Sequence, residues 1–270
     1  MGDLETTLQT ERDIAATIEL LMAARNENRS IASLPDELKP ANTEAGYALQ
    51  EALTLALGET PVGWKVACTN SAAQQLMETD EPFAGPLFEP MLHTSPAALR
   101  SDRFNMRMVE GEFAFRLGMD LAARPEPYTR DEVESAVAAV HPAIEIADSR
   151  FDDWLSVGLA SLVADGAVSG AFVYGEAHSD WRTLDLVNWP VTMRVGGEVV
   201  GRGTGAGALG DPLSSLLWLA NKRSSQGRGL NRGQIVTTGT CTGNFQAQPG
   251  ATVVADFGEM GEVSVSFATD

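Results

Sequence analysis

Apolar residues recur at helical spacing in the first quarter of the chain and in short alternating runs through much of the rest. Ile14, Ile18, Leu21 and Ala24 follow a period of three to four residues, and Thr10 with Asp13 three positions on forms a weak capping box, so the first 30 residues predict an amphipathic helix. "TEAGYALQEALTLALG" places Ala45, Leu49, Leu53 and Ala56 on one stripe and stops at Gly58, which suits the left-handed residue after a helix. A third helix is expected from Asn70 to about Glu78. A fourth starts at Thr129, which forms a capping box with Glu132, and runs to about Val140. Asp211 followed by Pro212 supplies an N-cap and a first-turn proline, so "PLSSLLWLANKRSSQ" predicts a helix ending at Gly227.

β-rich runs fall at about 107 to 117, 142 to 148, 167 to 175, 189 to 203, 234 to 240, 251 to 257 and 261 to 267. "MRVGGEVVG" reads as a hairpin, because paired glycines accept the positive φ of a tight primed turn. Strands and helices do not alternate, which argues against a doubly wound parallel sheet. The expectation is an α+β fold, mixed and largely antiparallel. Residues 1–60 would form an N-terminal helical cap and 61–270 a β-rich domain, the two making one structural unit.

Charge narrows the partners. The 270 residues carry 19 basic and 37 acidic side chains, a formal net charge of -18, with no basic cluster, so nucleic acid and anionic membrane surfaces are not expected partners. No run approaches 18 apolar residues, and the N-terminus lacks an apolar signal core. Cys68 and Cys241 are far apart and show no metal-ligand spacing, which fits a reduced, cytoplasmic protein. "GRGTGAGALGDP" lacks the GK[ST] of a phosphate loop, so close backbone packing is the expected role of its glycines.

The chemistry centres on "VEGEFAF", residues 109 to 115. In a strand Val109, Gly111, Phe113 and Phe115 share one face while Glu110, Glu112, Ala114 and Arg116 share the other. In "HPAIEIADSRF", Glu145 stands on one face between Ala143 and Ala147, small neighbours that leave room beside a carboxylate. Three converging carboxylates would repel one another unless one took a proton or a cation joined them. A hard divalent ion, Mg²⁺ or Mn²⁺, accepts such oxygen ligands. Zinc fits less well, since His93, His141 and His178 are scattered. Whether the two strands adjoin is open at this level.

These stretches, together with "GWKVACTN" at 63 to 70, "GTGAGALGDPLSSLLWLAN" at 203 to 221 and "QIVTTGTCTG" at 234 to 243, resemble the 2-oxopent-4-enoate hydratase and 4-oxalocrotonate decarboxylase family of the fumarylacetoacetate hydrolase-like superfamily. The resemblance covers about residues 40 to 268. It implies a mixed β-roll fold, a homo-oligomer, and an Mg²⁺ or Mn²⁺ site on Glu110, Glu112 and Glu145. It also carries the family's active-site lysine onto Lys65. Charge agrees with that choice: three glutamates and one divalent ion sum to -1, so an anionic 2-oxo acid needs a nearby cation.

Two departures stand out. The acidic residue common in the family just before the glycine of "TDEPFAG" is replaced here by Phe83 and Ala84, leaving Asp80 and Glu81 as the nearest acid/base substitutes. In "ADGAVSG" Asp165 is retained, but Gly166 and Val168 stand where an amide and a hydroxyl are expected, leaving Ser169 as a substitute for substrate contact. The resemblance implies a lyase acting on a small 2-oxo acid, and water addition is favoured over decarboxylation because Phe83, Ala84, Ala167 and Val168 suit a neutral substrate tail. A diketone hydrolase, or a catalytically silent oxo-acid-binding member of the fold, are the further alternatives.

Overall fold

A computed structural model describes residues 2–269, with side chains from 10 to 269. The chain opens with α1 (Gly2–Asn26) and α2 (Thr43–Leu57). Next come β1 (Gly63–Ala67), α3 (Ser71–Leu76), β2 (Phe83–Leu87), β3 (Leu92–Thr94), β4 (Ala97–Arg100) and β5 (Met108–Leu117). α4 (Arg130–Ala136), β6 (Val137–Ala147), α5 (Leu159–Ala164) and β7 (Ser169–Tyr174) make up the middle of the chain. β8 (Pro190–Val195), β9 (Glu198–Thr204), α6 (Pro212–Ser225), β10 (Ile235–Thr237), β11 (Asn244–Gln246), β12 (Thr252–Asp256) and β13 (Glu262–Ala268) complete it. No described helix is long and apolar enough to cross a membrane.

Two curled sheets hold these strands. One has the order β2-β1-β10-β5-β6-β7-β3 with β11 added beside β5, and the other the order β4-β13-β12-β8-β9. Among the described strands only β1 with β10, β3 with β7 and β4 with β13 pair in parallel, so the expected largely antiparallel α+β architecture is found. The sheets share a core in which Phe113, Phe115, Ile144 and Ile146 of the first meet Val253, Val265 and Phe267 of the second. These are the residues that strand alternation assigns to one face of β5 and β6. Their other face carries the glutamates.

Several elements follow their local signals. Asn42 caps α2 and Gly58 ends it at φ 69°; Thr129 and Glu132 close the capping box of α4; Asp211 caps α6 with Pro212 in its first turn. Gly196 and Gly197 turn the β8–β9 hairpin at φ 60° and 88°. The glycines after it serve close approach: a Cβ on Gly203 would lie 1.9 Å from the Cys241 carbonyl oxygen.

Other expectations are corrected. α1 already runs from Gly2, so Thr10 lies inside the helix and cannot cap it, because an N-cap must have non-helical backbone. The fourth helix stops at Ala136 rather than Val140, and the chain passes directly into β6, which pairs along the whole of β5. Pro142 therefore lies within a strand, not near its start. Its carbonyl accepts from Gly175 N–H at 2.9 Å, and its absent N–H points the same way. The Gly175 carbonyl instead lies 2.9 Å from Nδ1 of His141, which replaces the missing donor. The short strands β1 to β4 and β11 had no clear alternating signal.

The N-terminal helices are stitched to the first sheet by buried polar contacts. Gln50 of α2 donates to the carbonyls of Ala84 at 3.0 Å and Val163 at 2.8 Å, and Tyr47 Oη accepts from Ala84 N–H at 3.0 Å.

Candidate active site

β5 and β6 are antiparallel neighbours with Glu110 directly opposite Glu145 and Glu112 opposite Ala143. Directly opposed residues point to the same face, so register alone brings the three carboxylates together. Each offers an oxygen, and these oxygens all lie within 4.8 Å of one another. Glu112 is fully buried and Glu145 nearly so, while Glu110 is partly open to a cavity. One oxygen of Glu112 accepts from Gly239 N–H at 3.0 Å; the other, Oε1, is buried without a hydrogen-bond partner. An orphaned carboxylate oxygen in a cluster of three is costly unless a proton or a cation satisfies it. The donor set, all oxygen, fits a hard divalent cation.

Lys65 reaches this cluster from β1. Its Nζ lies 2.6 Å from Oε1 of Glu145, with both side chains almost fully buried. Burial is secured from above by an unusual turn. Gly166, Ala167 and Val168 all have positive φ, at 86°, 61° and 61°, which is rare for alanine and strained for a β-branched valine. The turn lies on β2 at Gly85, the residue paired with Lys65, where a Cβ would come within 2.2 Å of the Gly166 carbonyl oxygen. It points the Val168 carbonyl at Asp148 N–H, 3.0 Å away, and toward Lys65 Nζ at 3.5 Å.

Asp165 anchors that turn. Its carboxylate accepts from Arg150 Nε at 2.9 Å and lies 3.0 Å from Arg25 of α1. Both Nη groups of Arg150 donate to the Ser169 carbonyl at 3.1 Å.

A cavity of about 350 Å³ opens onto Glu110 and Lys65. Phe83 and Val168 line it, as the sequence suggested, together with Met77, Met106, Met108 and Trp154. The other expected residues lie elsewhere. Asp80 and Glu81 border a separate acidic depression with Glu44 and Glu78, and Glu81 is tied to Lys222 of α6 at 2.7 Å. The structure therefore does not bring them to the carboxylate cluster. Asp165 is spent on two arginines, and Ser169, whose hydroxyl donates to the Gly166 carbonyl at 2.7 Å, lines a second cavity. Direct substrate contact by either does not fit this placement; their chemistry is to hold the turn. Sequence reasoning missed Met108, although it lies two residues before Glu110 on the same face and could have been found by period two. It also missed Asn244, which sits opposite Glu110 on β11 and lines the cavity.

Burial, and then the nearby charge of Glu145, push the Glu110 carboxyl up to about 7; the same causes push Glu112 well above the usual carboxylate range. The sign for stability follows from proton linkage. Between the unfolded chain's ordinary 4.5 and the folded value of about 7, the metal-free fold holds a proton that the unfolded chain has released. That contribution is complete below the lower value and is lost as pH rises through the upper one, on the order of 3 kcal/mol for Glu110. Thermal unfolding of chelator-treated protein should thus show Tm falling from pH 5 to pH 8, and added Mg²⁺ or Mn²⁺ should restore most of the loss at pH 8. A metal-free Tm that rises over this range would contradict the assigned cluster.

The family model for the fumarylacetoacetate (FAA) hydrolase C-terminal domain matches residues 63–268. The chain belongs to that family. Two 2-keto-4-pentenoate hydratases are among its relatives. One from Dechloromonas aromatica is 36% identical over 94% of this chain and 96% of the relative. One from Paraburkholderia xenovorans is 33% identical over 96% of each. A 2-hydroxyhexa-2,4-dienoate hydratase from Comamonas testosteroni is 31% identical over 92% of this chain and 94% of the relative. Among solved structures, 4-oxalocrotonate decarboxylase from Pseudomonas putida G7, complexed with magnesium and adipate, superposes with a TM-score of 0.87 at 26% identity, covering 95% of this chain and 98% of that one. A divalent metal thus fits both the family and the cluster.

Proposed function

We propose that this protein is a divalent-cation-dependent lyase that adds water to a 2-hydroxydienoate such as 2-hydroxypenta-2,4-dienoate, with Mg²⁺ or Mn²⁺ as the ion. The observation that carries the reading is the cavity itself: its wall holds Lys65 and Glu110, the carboxylate through which the buried three-glutamate cluster meets the cavity, and no second cation among its described lining residues. Glu110, Glu112 and Glu145 would hold the ion, which when bound would polarise the substrate's 2-oxo group and draw electrons toward it. Lys65 donates to Glu145 at 2.6 Å and has further N–H donors for the substrate carboxylate, so it offsets negative charge that would otherwise repel the acid. Its Nζ also touches the cluster directly, which places it to move a proton at the substrate.

In the reaction, the enol proton leaves the 2-hydroxyl and a proton joins C5, giving the 2-oxo-3-enoate. Water then supplies hydroxyl to C4 and a proton to C3. Substrate and product carry the same net charge, so a single cationic side chain suffices to bind either. The buried surroundings of Lys65 and Glu145 exclude bulk water and strengthen the attraction between charges at this end of the cavity.

Decarboxylation is the second reading, favoured by the structural match to a decarboxylase. It requires a distal substrate carboxylate, which would lose hydration beside Phe83, Val168 and Met108 without a partner. The arginines that might have served are engaged elsewhere. Arg107 donates to the carbonyls of Phe104 and Ala247, Arg116 to that of Gly233, and Arg150 to Asp165. With Mg²⁺ present, the protein is expected to remove the ultraviolet absorbance of 2-hydroxypenta-2,4-dienoate with a kcat/KM above that for 4-oxalocrotonate. Stoichiometric CO₂ from 4-oxalocrotonate at the higher rate would reverse the assignment.

A further inference from the structure

We infer that the cavity is built for 2-oxo acids whose tail beyond C5 is apolar and longer than a methyl group, an inference that rests on the oxo-acid reading of the site. Register shows where such a tail would run. Along one face of β5 the side chains proceed from Glu112 to Glu110 to Met108, and opposite them on β6 from Ala143 to Glu145 to Ala147. One step of two residues, about 7 Å along the strands, therefore takes the surface from paired carboxylates to methionine and alanine. Beyond it lie Met106 and Trp154, with Met77 and Leu76 of the α3 region also on the wall.

A five-carbon acid spans roughly 5 Å from its carboxylate carbon to its last carbon, given bonds near 1.5 Å. Held at the Glu110 end, it would reach Met108 and leave the Met106–Trp154 region unfilled. The cavity's 350 Å³ is more than twice the roughly 150 Å³ that encloses a benzene in an apolar protein cavity. Among the polar wall residues, Thr69 packs against Gly239, whose N–H donates to Glu112, and the Thr240 hydroxyl donates to the Gly243 carbonyl at 2.9 Å. Asn244 lies across from Glu110 at the charged end, and the Asn70 side-chain oxygen caps α3, accepting from Ala73 N–H at 2.9 Å. Three methionines give a wall that adapts to alkyl or aryl shape. Leu76, 62% exposed, extends the apolar wall to the rim.

The test uses metal-loaded full-length protein and unreactive saturated 2-oxo acids of five to nine carbons. Binding is read by calorimetry and by quenching of Trp154, with Trp154→Phe identifying the signal. The dissociation constant is expected to fall about three- to fourfold for each added methylene over the first two or three. Met106→Trp, which fills the far end, should erase most of that gain, so that long and short acids bind alike. Turnover is then compared for 2-hydroxypenta-2,4-dienoate and its 5-propyl homologue, 2-hydroxyocta-2,4-dienoate, and the homologue should have the higher kcat/KM. If the long acids bind better but no dienoate is hydrated, the hydratase reading fails and the tail inference stands. If the parent is hydrated and affinity is flat or falls with tail length, the tail inference fails alone. Failure of every acid to bind overturns both.

Discussion

Replacing Glu112 by Gln is expected to make the metal-free protein more stable while removing its divalent-cation binding and its activity. Glu112 is fully buried beside two other carboxylates, and its Oε1 has no hydrogen-bond partner. Burial first, and then Glu145 and Glu110, disfavour its charge. The amide keeps the volume, keeps an acceptor for Gly239 N–H, and places a donor where a repulsive oxygen stood. Relief of about 1 kcal/mol would raise Tm by a few degrees in a chain of this size. With the charge gone, a hard cation loses one of three anionic ligands. kcat/KM should fall by more than ~10²-fold, beyond the usual cost of an outer-shell contact. Calorimetric titration with Mn²⁺ and a melting curve at pH 8 check both halves. Unchanged Mn²⁺ affinity would show that the ion binds elsewhere, and a lower metal-free Tm would show that Glu112 serves the fold rather than the site.

That trade-off explains how the site was legible before the fold was. Two glutamates two positions apart in a run of core residues break the rule that a buried face is apolar, and period two fixes them to the same side. Their third partner is a different matter. Glu145 lies 35 residues from Glu110 in the sequence, with α4 between, and only the β5–β6 ladder opposes them. Nothing local encodes that pairing. The start of β6 is hidden in the sequence for a related reason. Val137 to Val140 are apolar at both helical and strand spacing, and the partner strand, not local preference, makes them extended. The five short strands escaped because three to five residues give too few repeats to establish a period, and β2, "FAGPL", carries both glycine and proline. Asp165 is expected from the sequence as a substrate contact, yet its role depends on arginines from α1 and from the segment just after β6. A buried ion pair spanning 140 positions leaves no trace in spacing. The N-terminal helices were read as a cap; Arg25, Tyr47 and Gln50 tie them to the segments that cover Lys65.

Lys65→Met carries the other large expected effect, because it separates attraction for the substrate from attraction for the ion. Lys65 and Glu145 are 3% and 2% exposed, so removing the ammonium strands a carboxylate in low dielectric. In metal-free protein such a loss typically costs about 3–5 kcal/mol. A divalent cation beside Glu145 compensates, so the variant should be markedly less stable than the parent in chelator and close to it in Mg²⁺. Catalysis should not recover in the same way. The loaded site then has three glutamates against one divalent ion and no further cation, and the incoming acid meets net negative charge in a buried place. KM should rise by at least tenfold, with kcat falling as well if the ammonium also moves protons. Lys65→Arg sharpens the distinction. It restores a cation, but a planar guanidinium does not reproduce the single Nζ that bonds Glu145 at 2.6 Å and lies 3.5 Å from the Val168 carbonyl. It should therefore recover stability in chelator better than it recovers kcat. Steady-state kinetics at saturating Mg²⁺, alongside melting curves with and without the ion, give all four quantities. Parent-like KM and kcat in Lys65→Met would reduce the residue to a counter-ion of Glu145 and leave the substrate carboxylate to another group on the cavity wall.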